Sequence, residues 1–294
     1  MAHEHHHHGE RDNRVRVQFA LALTGIFMLV EFAGGILSGS LALLADAGHM
    51  LTDTMALALA ALAFHVSERP ADARRTYGYH RFQILAAFVN GLALLVIVAW
   101  IFVEAMKRLL APPEVAGTLM LYVAAAGLAV NIAAFLVLHG GDRENLNMRG
   151  AALHVLGDLL GSVAAITAAI VILLTGWMPI DPLLSLVVAL LILRSAWHLV
   201  RRSGHVLLEG SPEWLDVAEM REALVAAVPQ VESVHHVHVW GLTAERPMLT
   251  MHVRLEGEDC DPGETVRRLK EVLRRDFAIH HSTIEVETDS CADE

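Results

Sequence analysis

Apolar residues in this chain come in long blocks instead of alternating faces. Six blocks, at roughly 15–37, 40–64, 82–108, 117–138, 150–174 and 181–200, can each cross a hydrocarbon layer, which takes about 20 apolar residues as helix. Buried helices of a soluble protein are shorter and keep a polar face. Polar punctuation separates the blocks: Ser38-Gly39-Ser40, the basic stretch from His65 to Arg81, Pro112-Pro113-Glu114, Gly140 to Arg149, and Gly176-Trp177-Met178-Pro179. The pattern predicts six transmembrane helices within residues 14–203, preceded by a His-rich arm over 1–13.

The pattern turns soluble after Arg202. Ser211-Pro212-Glu213 reads as the capped start of an amphipathic helix to Val228. Val231 to Trp240 alternates as a strand, and Met248 to Leu255 is a second. Asp261-Pro262 opens a helix to about Phe277, and Ser282 to Glu287 is a third strand. The order αββαβ predicts a small cytosolic α+β domain over 204–294, ferredoxin- or metallochaperone-like. The expected fold class is thus an all-α six-helix transmembrane bundle plus this α+β domain.

Composition agrees with a membrane protein. The 294 residues are 54% hydrophobic, with a mean hydropathy of +0.46. The formal net charge of -11 is unevenly placed: His205 to the end holds 8 Lys/Arg against 19 Asp/Glu, and the preceding part holds 14 of each. No basic patch points to nucleic acid. With both termini in the cytosol, 11 cationic residues fall inside (Arg11, Arg14, Arg16, Arg69, Arg74, Arg75, Arg81, Arg143, Arg149, Arg201 and Arg202) and only Lys107 and Arg108 outside. The positive-inside rule therefore selects that orientation.

The two cysteines, Cys260 and Cys291, form no C-x-x-C pair and no disulfide framework, and both read as reduced cytosolic thiols; metal contact by Cys291, near the acidic end, is the lesser alternative. The start, MAHEHHHHGE, lacks the basic and apolar regions of a cleaved signal peptide. Its His3 and His5 to His8 fit either a purification tag or a native arm that holds metal near an entrance.

Ionisable residues inside the blocks carry the candidate chemistry, because each costs roughly 2.5–3.5 kcal/mol on insertion scales. The second block contains His49 and Asp53, and the fifth contains His154 and Asp158, both as H-x-x-x-D. A spacing of four puts each pair on one helix face. Two imidazoles and two carboxylates suit a tetrahedral zinc ion, whereas magnesium or calcium would take nearly all oxygen. At 1.5 Å per residue, Asp53 lies about 20 Å and Asp158 about 24 Å from the outer ends of their spans, so the two carboxylates reach similar depth. Asp46, one turn above His49, lines an access path or an ordinary interface. Asn90 and Asn131 suit helix-to-helix hydrogen bonding, and Glu31 and Glu104 are candidates for a proton route.

Together, L-A-D-A-G-H-M-L-T-D (44–53), R-R-T-Y-G-Y-H-R (74–81), H-V-H-V-W-G-L (236–242) and the paired H-x-x-x-D resemble the cation diffusion facilitator family of zinc and cobalt-zinc-cadmium efflux proteins. The resemblance runs from about Arg14 to Glu287. It implies a Y-shaped homodimer, metal-for-proton antiport, and a transport site of His49, Asp53, His154 and Asp158. A His at position 49 goes with zinc preference over cadmium in that family. The resemblance also places His235, His252, Glu285 and Glu287 where similar proteins hold a zinc cluster between protomers, with Glu285 where some relatives have His. Some relatives bind metal in the loop between spans two and three through an Asp and two His; here Asp72 and His80 lack that spacing. The short loop after span four, without a His-rich insert, points to a bacterial plasma (inner) membrane.

Metal binding needs neutral imidazole and ionised carboxylate, so it expels protons, which gives an antiport cycle its chemistry. A membrane metalloenzyme is the rival from another class; catalytic zinc usually keeps three protein ligands and an open position, so four ligands with no further nucleophile argue against it. A pure sensor would not need the deep site. An importer stays open, because direction is not written in the ligands.

Overall fold

In the computed structural model, residues 4–67, 69–139, 146–243, 246–256, 261–287 and 291 are described, with backbone alone for 4–18, 57, 60, 61, 64, 138, 139 and 146–157. The apolar blocks form α1 (Glu4–Ser38), α2 (Leu41–Ser67), α3 (Arg81–Leu110), α4 (Gly117–His139), α5 (Leu146–Thr175) and α6 (Ile180–Leu207). Among the described residues, five helical stretches are long and apolar enough to span a membrane: Phe19–Ser38, Arg81–Leu110, Gly117–Val137, Asp158–Thr175 and Ile180–Leu207. The 27-residue α2 carries Asp46, His49 and Asp53 in its first half. The chain divides into two compact units, residues 1–59 with 89–198, and residues 60–88 with 199–294.

In the first unit, small residues let helices approach closely. Ala165, Ala168, Ala169 and Ile172 of α5, spaced i, i+3, i+4, i+7, are buried against Met120 and Ala124 of α4 and Ala42 and Leu43 of α2. Gly34 of α1 receives Val123 of α4, and Gly127 of α4 receives Phe27 of α1; a Cβ at either glycine would come within 2.8 Å of its partner side chain. A second cluster joins Ala45 of α2, Leu94, Val98 and Ile101 of α3, and Ala189, Ile192 and Ala196 of α6. Large apolar side chains such as Val96, Tyr122, Leu136 and Leu190 point outward, which suits a lipid-facing surface.

The start of α2 is held by a residue far away in sequence. Asp181, fully buried at the start of α6, accepts from the Ser40 hydroxyl (2.6 Å) and from the backbone N–H groups of Leu41 (2.7 Å) and Ala42 (3.1 Å). These donors have no partner inside the helix, and a carboxylate there also meets the positive end of the helix dipole. Arg108 of α3 sits 4.0 Å from Asp181, donates to the Gly39 carbonyl, and pairs with Glu104 at 3.0 Å. Glu104 is thus part of an ion pair at the end of α3. Asn131 of α4 donates to Ser162 of α5 at 3.3 Å, the helix-to-helix role expected of it.

In the second unit, α7 (Val217–Ala227), β1 (Val231–Thr243), β2 (Arg246–Leu255), α8 (Pro262–Phe277) and β3 (His281–Glu287) follow in the expected order. The sheet runs β1-β2-β3, with β1 antiparallel and β3 parallel to β2. Met220 and Leu224 of α7 and Leu269 and Leu273 of α8 pack with Val234, Leu249, Met251 and Val253 of the sheet. The first helix starts later than the Ser211-Pro212 signature suggests: Asp216 caps it, accepting from Ala218 and Glu219 N–H.

The register of β1 breaks between His235 and His238, where His236 takes a left-handed φ of 46°. Strict alternation along Val231 to Trp240 would set His235 on the face opposite His236 and His238; it fails here, because a bulge resets which way each side chain points. The His235 and His236 rings lie 5.5 Å apart, and both sit near His252, at 5.7 and 5.0 Å.

Candidate metal centres

The first candidate centre lies among the helices. His49 Nδ1 and Asp53 Oδ2, one turn apart on α2, are 3.4 Å apart and partly exposed. Asp158 of α5 is buried at 3% exposure, as is Asp46 of α2. Asp46 lies against Gly161 of α5, where an added Cβ would stand 2.6 Å from its Oδ1. Glu31 of α1, also buried, sits within hydrogen-bonding reach of Asp46. Asp46 interacts electrostatically with Asp53 and Asp158, and Glu31 with Asp46 and Asp158. Carboxylates from three helices are thus grouped around the α2 pair, an arrangement that favours a cation. His154 belongs to α5, one turn before Asp158, and its side chain lies outside the described residues.

Mid-span position is the sequence signal that marks Glu31 and Asp46, but it does not reveal that they adjoin each other. That proximity depends on how α1 packs beside α2.

The second centre lies on the sheet. Cross-strand pairing sets His235 opposite His252 and His252 opposite Glu285, so three of the expected residues form one row. Glu287, buried at 6% exposure, is held between His235 Nε2 at 2.9 Å and His252 Nδ1 at 2.8 Å. Glu285 is half exposed and faces the other nitrogen of His252 at 3.7 Å. Cys291 Sγ comes within 3.5 Å of both His236 Nδ1 and His252 Nδ1. Ligand atoms of His235, His252, Glu287 and Cys291 all fall within 4.8 Å of one another. Burial works against ionisation of Glu287, but hydrogen bonds from Cys291 and His252 and the charges of His235 and His252 outweigh it and hold its pKa below the ordinary carboxylate value.

In the loop between α2 and α3, Asp72 is engaged locally. It accepts from Arg74 and Arg75 N–H at 2.8 Å and from the Tyr79 hydroxyl at 2.9 Å. The Tyr79 hydrogen bond, then those from the two backbone groups, keep its pKa below the usual range. His80 contacts Arg246 at 3.1 Å, and Arg81 pairs with Glu209 at 3.2 Å.

Comparison with known proteins now defines the class. The cation efflux transmembrane domain matches residues 17–208, and the cytoplasmic domain of cation efflux proteins matches residues 212–289. "Zinc transporter ZitB" of Pectobacterium atrosepticum is 50% identical over 295 residues, covering 100% of this chain and 91% of the relative. A "Cadmium, cobalt and zinc/H(+)-K(+) antiporter" of Bacillus velezensis is 43% identical, covering 98% of this chain and 92% of its own. A solved structure described as "Metal-bound C-terminal domain of the CzcD transporter from Cuprividus metallidurans" is 35% identical over 25% of this chain and 99% of its own, with a TM-score of 0.23.

The chain belongs to the cation diffusion facilitator family. It is a multi-pass membrane protein of metal-ion efflux, with a helical transmembrane part and a small C-terminal domain of helices on a three-stranded sheet.

Proposed function

We propose that this protein exports zinc from the cytosol in exchange for protons, by alternating access around a site of His49, Asp53, His154 and Asp158 between α2 and α5. The observation that carries the reading is the His49–Asp53 pair at 3.4 Å on α2, matched by an identically spaced pair on α5 whose Asp158 is buried in an apolar bundle. A buried acid surrounded by further acids is costly unless a cation or protons neutralise it. Metal and protons can therefore replace one another at the same oxygens and nitrogens. The naming of 50% identical relatives as zinc transporters favours zinc, and the name of the Bacillus relative favours proton coupling.

Energetics require such a coupling. Moving a doubly charged ion out against 100 mV, inside negative, costs about 4.6 kcal/mol, from roughly 2.3 per charge. Protons returning down their gradient supply this. In this reading α2 is a sixth span, both termini face the cytosol of a bacterial inner membrane, and the domain over 204–294 supports a homodimer. His235, His252, Glu285 and Glu287 belong to a regulatory site for the transported metal. The grouping of three of them on adjacent strands supports that role.

The test is zinc flux in proteoliposomes with an imposed pH gradient. Uptake into the vesicles should follow the gradient, and collapsing it should stop accumulation. Asp158→Asn should lower zinc flux at least roughly 100-fold, twice the 1.4 kcal/mol that corresponds to tenfold, while the protein still elutes as a folded species. Unchanged flux in that variant would remove the site assignment, and flux indifferent to pH would remove the antiport.

A further inference from the structure

We infer that Cys291 completes a four-ligand metal site with His235, His252 and Glu287 inside a single chain, so that the cytosolic domain binds its metal through a thiolate. The inference rests on the reading that this domain binds the transported metal, and it replaces Glu285 by Cys291 in the ligand set.

Geometry argues for it from the side of His252. An imidazole offers one nitrogen to one ion. The Nδ1 of His252 faces both Glu287 and Cys291, at 2.8 and 3.5 Å, whereas Glu285 faces Nε2 at 3.7 Å and is half exposed. A ligand set centred on Nδ1 therefore includes the thiol and leaves Glu285 out. Bonds of 2.0–2.3 Å in a tetrahedron put neighbouring ligand atoms roughly 3.3–3.7 Å apart. The four donors already lie between 2.8 and 4.8 Å, so shifts of about 1 Å would seat an ion. Glu287 and Cys291 are buried and the His252 side chain is only 12% exposed, which keeps these three donors largely out of solvent.

The bulge in β1 belongs to the same construction. Left-handed backbone at His236 is a strained choice for a residue with a side chain. It brings the His236 ring to 5.0 Å from His252 and its Nδ1 to 3.5 Å from Cys291, so the thiol is flanked by imidazoles. An unbroken strand would turn His236 away from His235.

The chemistry differs from that of the transport site. Two nitrogens, one oxygen and one thiolate sulfur favour zinc, cobalt or cadmium over magnesium or calcium more strongly than an all-hard set does. On binding, the thiol loses its proton to solvent and a sulfur–metal bond forms. Because Cys291 follows β3 by four residues, binding would tie Cys291 to the sheet.

Cobalt(II) titration of the full-length protein under reducing conditions tests this, since the chain has only two cysteines to give a thiolate-to-cobalt charge-transfer band. The band should appear in the wild type and in Cys260→Ser, and vanish in Cys291→Ser and in His252→Ala. Cys291→Ser should weaken this site at least roughly 10-fold, the lower limit for loss of even an outer-shell partner. The equivalent removed by Asp158→Ala should be unaffected. If His252→Ala removes one bound equivalent but the wild type shows no band, the thiolate is wrong and the cytosolic site stands. If His252→Ala removes no equivalent, the regulatory site itself is wrong.

Discussion

Gly161 is where a single methyl group reports on the site between the helices. Replacing glycine by alanine inside a helix normally gains about 1 kcal/mol. At Gly161 the new Cβ would stand 2.6 Å from Asp46 Oδ1 and 2.9 Å from its Cγ. Overpacking costs about 1–3 kcal/mol, so the clash wins and Asp46 must move. Gly161→Ala is expected to lower both zinc flux and the unfolding temperature in detergent. Gly25→Ala, with nothing within 4 Å of the added group, serves as the control and should be neutral or stabilising. Equal behaviour of the two variants would mean that Asp46 does not press on α5. The His49–Asp53 pair is legible from spacing alone because both partners sit on one helix turn. The closeness of Asp46 to Gly161 is not, because it joins residues over a hundred positions apart.

The same distinction between local and distant partners holds for whole elements. Helix α8 is readable at its start because Asp261 and Pro262 form a local cap, with Asp261 accepting from Gly263 N–H at 2.8 Å. For α7 the Ser211-Pro212 signature is an equally good local start, but Asp216 holds the N–H groups and the helix begins after it. The bulge in β1 escapes a period of two because that rule assumes an unbroken ladder. The cap on α2 is only half local: Ser40 Oγ accepts from Leu43 N–H at 3.3 Å, but the carboxylate that takes the N–H groups of Leu41 and Ala42, Asp181, is about 140 residues away. Removing that carboxylate leaves the buried N–H groups of Leu41 and Ala42 without their acceptor, at a cost on the order of 1–3 kcal/mol each. Arg108 would also lose a neighbouring anion. Asp181→Ala is therefore expected to lower the unfolding temperature more than Glu104→Ala, whose carboxylate is partly exposed at 28% and gains less from its pair with Arg108. The reverse order, measured by thermal unfolding in the same detergent, would show that α2 is anchored elsewhere.

At the scale of the molecule, charge decides how the helices lie across the membrane. With the proposed six spans the number of crossings is even, and both ends of the chain share one side. The count of 11 cations against 2 then favours placing the loop with Arg69, Arg74, Arg75 and Arg81 in the cytosol. One of the two cations on the opposite side is already committed within the fold: Arg108 pairs with Glu104 and holds the Gly39 carbonyl beside Asp181. If α2 did not span, the loop before α3 would fall on the opposite side from the N-terminus, and its arginines would oppose those at Arg11, Arg14 and Arg16. Accessibility of single cysteines separates the two cases. In a chain with Cys260→Ser and Cys291→Ser, Pro113→Cys should react with a membrane-impermeant maleimide added to intact cells. Ala73→Cys, at an exposed loop position, should react only after the membrane is opened. Labelling of Ala73→Cys from outside would overturn this topology, because either the orientation is reversed or α2 is not a span. In the second case the paired ligands on α2 and α5 have no shared layer in which to meet.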